Sequence, residues 1–293
     1  MGGMFAVHPL LTPQRKYQVA LLAAVLLVPM CGMTAPPTAG KAPLQMGILP
    51  YLSAEQLFRF FSPMKNYLEQ KLGRTVVMST APDFSIYIER ARNMDYDIYV
   101  TAPHFALLAE QESSYRRVGR MTRNLDAAIF VRKNDPAMLV DDLRGRRVAR
   151  PSKLALASIQ GEQILRAHGL ESGRDYELQE ALSHNNALMR VVERDADAAL
   201  TSGVVLNRMP ASVRDHLRVL IAAPKVPQVM IMASPKLSEA DFRSLTQAVL
   251  AFTPTGPGKE FFDRTGNQGI LPITQDDMDT LQPFQPILKE RLK

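Results

Sequence analysis

Two polar clusters stand where a strand hands over to a helix, and each carries a histidine. The first is Thr101-Ala102-Pro103-His104, set between Tyr96–Thr101 and Phe105–Gln111. Ile98 and Val100 share one face of the earlier run, which reads as a short buried strand, and the later run opens a helix. Ligands of α/β sheets sit beyond the carboxyl ends of strands, where first-turn amides carry partial positive charge. In such a joint Thr101 would cap the helix, Pro103 would suit its first turn, and His104 would stand beside the opening. The second cluster is Ser183-His184-Asn185-Asn186, just ahead of an amphipathic helix. A histidine there can donate to an oxyanion without needing a fixed charge. The chemistry on offer is capture of a small anion. From the residues alone, an ordinary joint whose histidine is merely satisfied fits the first cluster equally well.

Nothing in the chain asks for catalysis. Its five histidines make no metal-ligand spacing such as HExxH, and no GxSxG-type nucleophile turn or Gly-rich phosphate loop is present. We therefore expect no catalytic residue, no metal and no cofactor.

The elements that must hold these clusters alternate. Leu44–Leu52 reads as a strand running into a loop, and Ser53 opens a helix through Leu72. Its apolar residues Leu57, Phe60, Phe61, Met64, Tyr67, Leu68 and Leu72 follow three-and-four spacing. Strand Thr75–Ser79, helix Asp83–Arg92 and the strand ending at Thr101 come next, and Asp126–Arg132 makes another strand. The break at Lys133-Asn134-Asp135-Pro136 reads as the crossing into a second domain. There strands at Arg147–Arg150, Tyr176–Gln179, Ala196–Thr201 and Leu217–Ala222 flank helices at about Ala155–His168 and Asn185–Arg194. Gln228–Ala233 returns toward the first domain, and Ser238–Phe252 with the C-terminal helices covers it. Such alternation implies an α/β fold with mostly parallel sheets flanked by helices. The division expected is 1–40 leader, 41–132 with 226–293 as the first lobe, and 133–225 as the second.

Length and composition agree. With 46% hydrophobic residues in 293, the chain can build one or two real cores. A net charge of +6 without a dense basic run interleaved with aromatics suits an anionic ligand and argues against nucleic acid. Arg15 and Lys16 precede the apolar run Tyr17–Val28, which is of signal-peptide length and short for a membrane span. Small and Pro-rich residues follow, so an exported, periplasmic protein is expected. The single cysteine, Cys31, sits where a lipoprotein signal would place one, which leaves a lipid anchor open; no disulfide can form within the chain.

Several segments together resemble one family: GILPYLS at 47–53, YLEQKLG at 67–73, DYDIYVTAPHFALLAEQ at 95–111, LRGRRVA at 143–149 and SHNNALMRVVERDADAALTS at 183–202. In this order they are similar to the phosphonate/phosphite/phosphate-type periplasmic substrate-binding proteins of ABC importers. The resemblance implies a two-lobed, type II "Venus flytrap" fold that closes on a small anionic solute and passes it to an inner-membrane permease. It also implies a monomer that performs no chemistry on its ligand. Carried over by position, it points to Tyr51, to the Thr101–His104 turn, to His184 with Asn185, and to Thr201 at a strand end facing the cleft.

One departure matters. The hydroxyl-rich helix start with which the family grips phosphonate oxygens falls here on Leu154, Ala155 and Leu156. Ser152 and Ser158 flank that gap as substitutes, with Arg150 or Lys153 as sources of charge. Each hydrogen bond to a charged group is worth roughly 1.5–3 kcal/mol, so the loss argues for another oxyanion or a less polar ligand. A flytrap that reports its ligand to a membrane histidine kinase is the alternative to uptake.

Overall fold

A computed structural model describes residues 41–293. The leader and Cys31, on which the export and anchoring expectations rest, lie outside the described residues. From Leu44 the chain builds β1 (Leu44–Ile48), α1 (Ala54–Leu72), β2 (Val76–Ser79), α2 (Phe84–Arg92), β3 (Ile98–Thr101), α3 (Pro103–Ser113) and β4 (Arg116–Met121). After the short β5 (Asn124–Leu125) come β6 (Ala127–Arg132), β7 (Arg147–Arg150), α4 (Leu156–Ala167), β8 (Glu177–Glu180) and α5 (His184–Val192). Then follow β9 (Ala198–Ser202), α6 (Gly203–Arg208), α7 (Ala211–Arg214) and β10 (Leu217–Ala222). The return runs through β11 (Val226–Pro227), β12 (Met230–Ala233), α8 (Glu239–Leu250), α9 (Gly256–Thr265), β13 (Ile270–Leu271), α10 (Gln275–Asp279) and α11 (Gln285–Arg291).

Two large sheets result, each flanked by helices. The first has the order β13-β4-β12-β3-β1-β2 and the second β10-β6-β9-β7-β8. The expected parallel pairing holds for β1 with β2 and β3, and for β7 with β8 and β9. The remaining ladders are antiparallel, so both sheets are mixed. Antiparallel β12 completes the first sheet with a strand from the far end of the chain.

The crossing between lobes lies earlier than the Lys133–Pro136 break suggests. Strand β6, expected to close the first lobe, pairs with β9 and β10 and belongs to the second sheet. Lys133–Pro136 is a tight turn within that lobe: the Lys133 amide bonds the His216 carbonyl at 2.8 Å, and the Asp135 carboxylate is held by Arg132 and Arg146. The crossing is the β5–β11 pair, two antiparallel strands with Leu125 opposite Val226.

Local sequence explains the elements that matter. Ser53 caps α1 by accepting from the Gln56 amide, Leu57, Phe61, Met64, Tyr67 and Leu68 are buried on one side, and Gly73 ends the helix at φ 56°. The central strand β3 is wholly buried, and its Tyr99 packs in an aromatic cluster with Tyr87, Tyr96 and Tyr115. Leu154, Leu156 and Ile159 of the second lobe join the same apolar cluster as Phe105, Met278 and Leu288 of the first. This seam ties the two lobes together on one side of the cleft.

Candidate functional site

A cavity of about 150 Å³ lies where strand–helix joints of both lobes meet. The first lobe contributes Tyr51 after β1, the Ala102–Phe105 start of α3, and Phe61, Met121, Val229 and Phe261. The second contributes the Ala155–Ala157 start of α4, His184 at the start of α5, and Ser202, Val204, Val205 and Arg208 around α6. A larger cavity of about 680 Å³ adjoins it, lined by Ser53, Gln56, Asn185 and Arg264 among others. Four residues belong to both walls: Tyr51, His184, Val205 and Arg208. They form the neck between an inner and an outer chamber.

Each wall element has a local cause. Pro103 is the first residue of α3 and Ala102 its cap. Thr101 does not cap the helix as expected. It is fully buried one residue earlier, beside the hydroxyls of Tyr87 and Tyr99, and does not line the cavity. Ser183 caps α5 by accepting from the Asn186 amide at 3.2 Å, which makes His184 the first helical residue. Helix α6 is held by Asp126: its carbonyl accepts from the Gly203 amide and its carboxylate from the Val204 amide. A Cβ on Gly203 would stand 2.5 Å from that carboxylate, so a larger residue there would push the Asp126 side chain off the Val204 amide.

The two histidines differ in what they hold. His104 is completely buried, and its Nε2 donates to the Leu154 carbonyl at 2.9 Å, a bond from one lobe to the other. Burial pulls its pKa down to about 4, partly countered by that carbonyl. Its own carbonyl accepts from the Gln285 amide at 2.8 Å, fastening α11 to the start of α3. His184 keeps part of its surface in the neck, and its Nδ1 is 2.8 Å from the Thr201 hydroxyl. Desolvation lowers its pKa to about 4 as well, so the ring is neutral at pH 7. Tyr51 is pushed up to about 12 by desolvation, with Arg208 opposing the shift.

The other sequence-derived candidates lie elsewhere. Asn185 is exposed and lines the outer chamber. Thr201 is buried and serves by holding His184. Ser152 turns inward to accept from the Leu154 amide, and Ser158 is buried in α4; neither lines a chamber, so neither replaces the missing hydroxyls. Arg150 is neutralised by Glu162 at 2.5 Å and Glu180 at 3.1 Å, which removes it as a source of charge for the cleft. Ala155, Leu156 and Ala157 occupy the wall where the hydroxyl-rich start was sought, so α4 presents first-turn amides with hydrocarbon between them.

Arg208 is the residue the sequence reading missed. It closes α6, stands beside Tyr51, is accessible in the neck, and bonds the Thr265 carbonyl across the cleft. Among the described residues it has no carboxylate partner. A six-residue helix shows no usable periodicity, which is why its position was not legible. Ser202, which follows Thr201 at the end of β9, lines the inner chamber, and its hydroxyl makes no capping bond. Among the described residues no group of three or more His, Cys, Asp or Glu is placed to hold a metal.

Comparison with known proteins follows the same lines. Residues 46–278 match the family model of ABC transporter, phosphonate, periplasmic substrate-binding proteins. Among solved structures, PhnD1 from Prochlorococcus marinus in complex with methylphosphonate superposes with a TM-score of 0.75 at 14% identity, covering 85% of this chain and 98% of that one. XAC2383 from Xanthomonas citri, solved bound to ATP, gives 0.72 at 17% identity over 86% and 98%. The alkanesulfonate-binding protein SsuA from Xanthomonas axonopodis pv. citri, bound to MOPS, gives 0.58 at 19% over 87% and 95%. At these identities the likeness is one of fold: the two-lobed α/β architecture of periplasmic binding proteins.

Proposed function

The chain belongs to the phosphonate-type periplasmic substrate-binding proteins of ABC transporters, and from that premise we propose that it captures a small organic anion between its lobes and delivers it to an importer permease. The family's members bind rather than transform their solutes. One observation carries the reading for this chain: one cavity joins the helix starts of both lobes to a guanidinium that has no carboxylate partner among the described residues. First-turn amides of α3, α4 and α5 supply partial positive charge, and Arg208 supplies a full one. Tyr51 and His184 add donors at the neck. The arrangement that serves an anion has Thr201 donating to His184 Nδ1, which leaves Nε2–H free for the ligand. Both walls come from one chain, so a monomer suffices.

Ligand that touches both lobes favours the closed arrangement by whatever affinity difference it has for the two states. The permease then reads closure rather than the solute itself. A thermal-shift panel of phosphate, phosphite, alkylphosphonates, alkylsulfonates and carboxylates tests the reading. A solute present at ~100 times its dissociation constant adds about 2.7 kcal/mol, enough to see. A shift with phosphonate or phosphite keeps the family's ligand class for this chain. A shift only with sulfonates or carboxylates keeps uptake and changes the head group, and silence across every anion contradicts anion capture.

A further inference from the structure

Resting on the uptake reading above, we propose that the solute is an organic oxyanion carrying an uncharged, apolar substituent about the size of a benzene ring. Its charged head sits at Arg208 in the neck and its substituent fills the inner chamber. Three features of the cleft point there. Apolar side chains, Leu49, Phe61, Phe84, Met121, Val229 and Phe261 among them, make most of the inner chamber's wall, with Gln228, Thr265 and Asn267 as a polar patch, whereas the outer chamber is more polar. At about 150 Å³ it matches the volume at which an apolar protein cavity accepts benzene. An inorganic oxyanion held by Arg208, the charged donor at the neck, would leave most of those walls uncovered.

The second feature is what the walls lack. No aspartate or glutamate lines either chamber among the described residues. A substituent bearing an ammonium would enter the inner chamber without a carboxylate to meet it, and an unpaired buried charge is strongly disfavoured. The third is the start of α4, where Ala155, Leu156 and Ala157 put hydrocarbon against the ligand between the backbone amides. The number of donors is thereby reduced and the apolar contact enlarged. Affinity in such a site comes from the substituent as much as from the head.

The test is calorimetric titration of the purified protein with phosphate, methylphosphonate, phenylphosphonate and 2-aminoethylphosphonate, with benzenesulfonate and benzoate as changes of head group. Phenylphosphonate is expected to bind about 10–100-fold more tightly than methylphosphonate, from the apolar area it buries, and 2-aminoethylphosphonate is expected to bind most weakly. Arg208→Gln should weaken every member that binds. Val204→Phe, which narrows the inner chamber, should bring the ratio of phenylphosphonate to methylphosphonate affinity down toward one; its melting curve shows whether it is folded. Methylphosphonate, phosphate or the aminoethyl compound binding as tightly as the phenyl compound overturns the substituent proposal and leaves uptake intact. If benzenesulfonate or benzoate binds while the phosphonates do not, the apolar-substituent proposal stands with a different head. No binding by any member overturns both this proposal and anion capture.

Discussion

His104 and His184 hold matching places in the two lobes, each in the first turn of a helix that follows a strand or loop at the cleft, yet the fold uses them differently. His104 is sealed in, and its ring spans the lobes to the Leu154 carbonyl. His184 keeps surface in the neck, with one nitrogen anchored to Thr201 within its own lobe. The first is a fastener and the second a free donor. Similar local sequence thus ties the lobes together at one site and, in the proposed reading, contacts ligand at the other; His104 Nε2 crosses to the other lobe, whereas His184 Nδ1 is held within its own.

That contrast can be broken by substitution. His104→Ala removes a buried ring and leaves the Leu154 carbonyl unpaired, which should cost about 2–4 kcal/mol in urea unfolding. His184→Ala should cost less, about 1–2 kcal/mol, because the ring is only partly buried although its loss leaves the buried Thr201 hydroxyl unpaired. Equal losses for the two variants would erase the distinction.

The pH profile sharpens it. Burial holds His104 at about 4, below its ordinary value of 6.5, so the unfolded chain takes up a proton in that interval and the folded protein does not. Stability should therefore be full above pH 6.5 and fall as pH drops toward 4, by roughly 3 kcal/mol if the whole shift is realised. His184 pulls in the same direction. His104→Ala and His184→Ala should each flatten the stability profile between pH 4 and 6.5 by a similar amount, because burial shifts the two rings alike and they differ in partners rather than in charge. A stability that rises on acidification would show that the rings are not held neutral.

Binding should reverse the ranking. His184→Ala removes one donor to a charged ligand, worth roughly 1.5–3 kcal/mol or about 10–150-fold in dissociation constant. Thr201→Val leaves the ring in place but frees its orientation, and a smaller loss of about 3–10-fold is expected, the range of a neutral hydrogen bond. Calorimetry with whichever anion gives the largest thermal shift reads both. A Thr201→Val loss that matches His184→Ala would mean that the ring acts only through its anchor.

Much of this was legible in the residues. The run from Tyr96 to Gln111 declares a buried strand, a proline-primed turn and a helix, and the structure builds all three. The apolar replacement at Leu154–Leu156 could also be read, and those residues stand in the wall or the seam beside it. What escaped depends on partners distant in sequence. Arg208 reaches the cleft because Asp126, 78 residues before Val204, sets the start of α6. Strand β4 hides in Arg116-Arg117-Val118-Gly119-Arg120-Met121, since its arginines read as surface. They are paired to Glu239, Glu110 and Asp277 on three separate elements. The crossing between lobes escaped because its real segment, Asn124–Leu125, carries no proline or glycine, while Asn134-Asp135-Pro136 mimics a linker.

The claim that the solute is held between the lobes is tested most directly by hydrogen–deuterium exchange with and without the best-binding anion. The account predicts joint slowing at the first turns of α3, α4 and α5, around His104–Phe105, Leu156–Ser158 and His184–Asn185. Slowing confined to one lobe, or lying away from these helix starts, would contradict it.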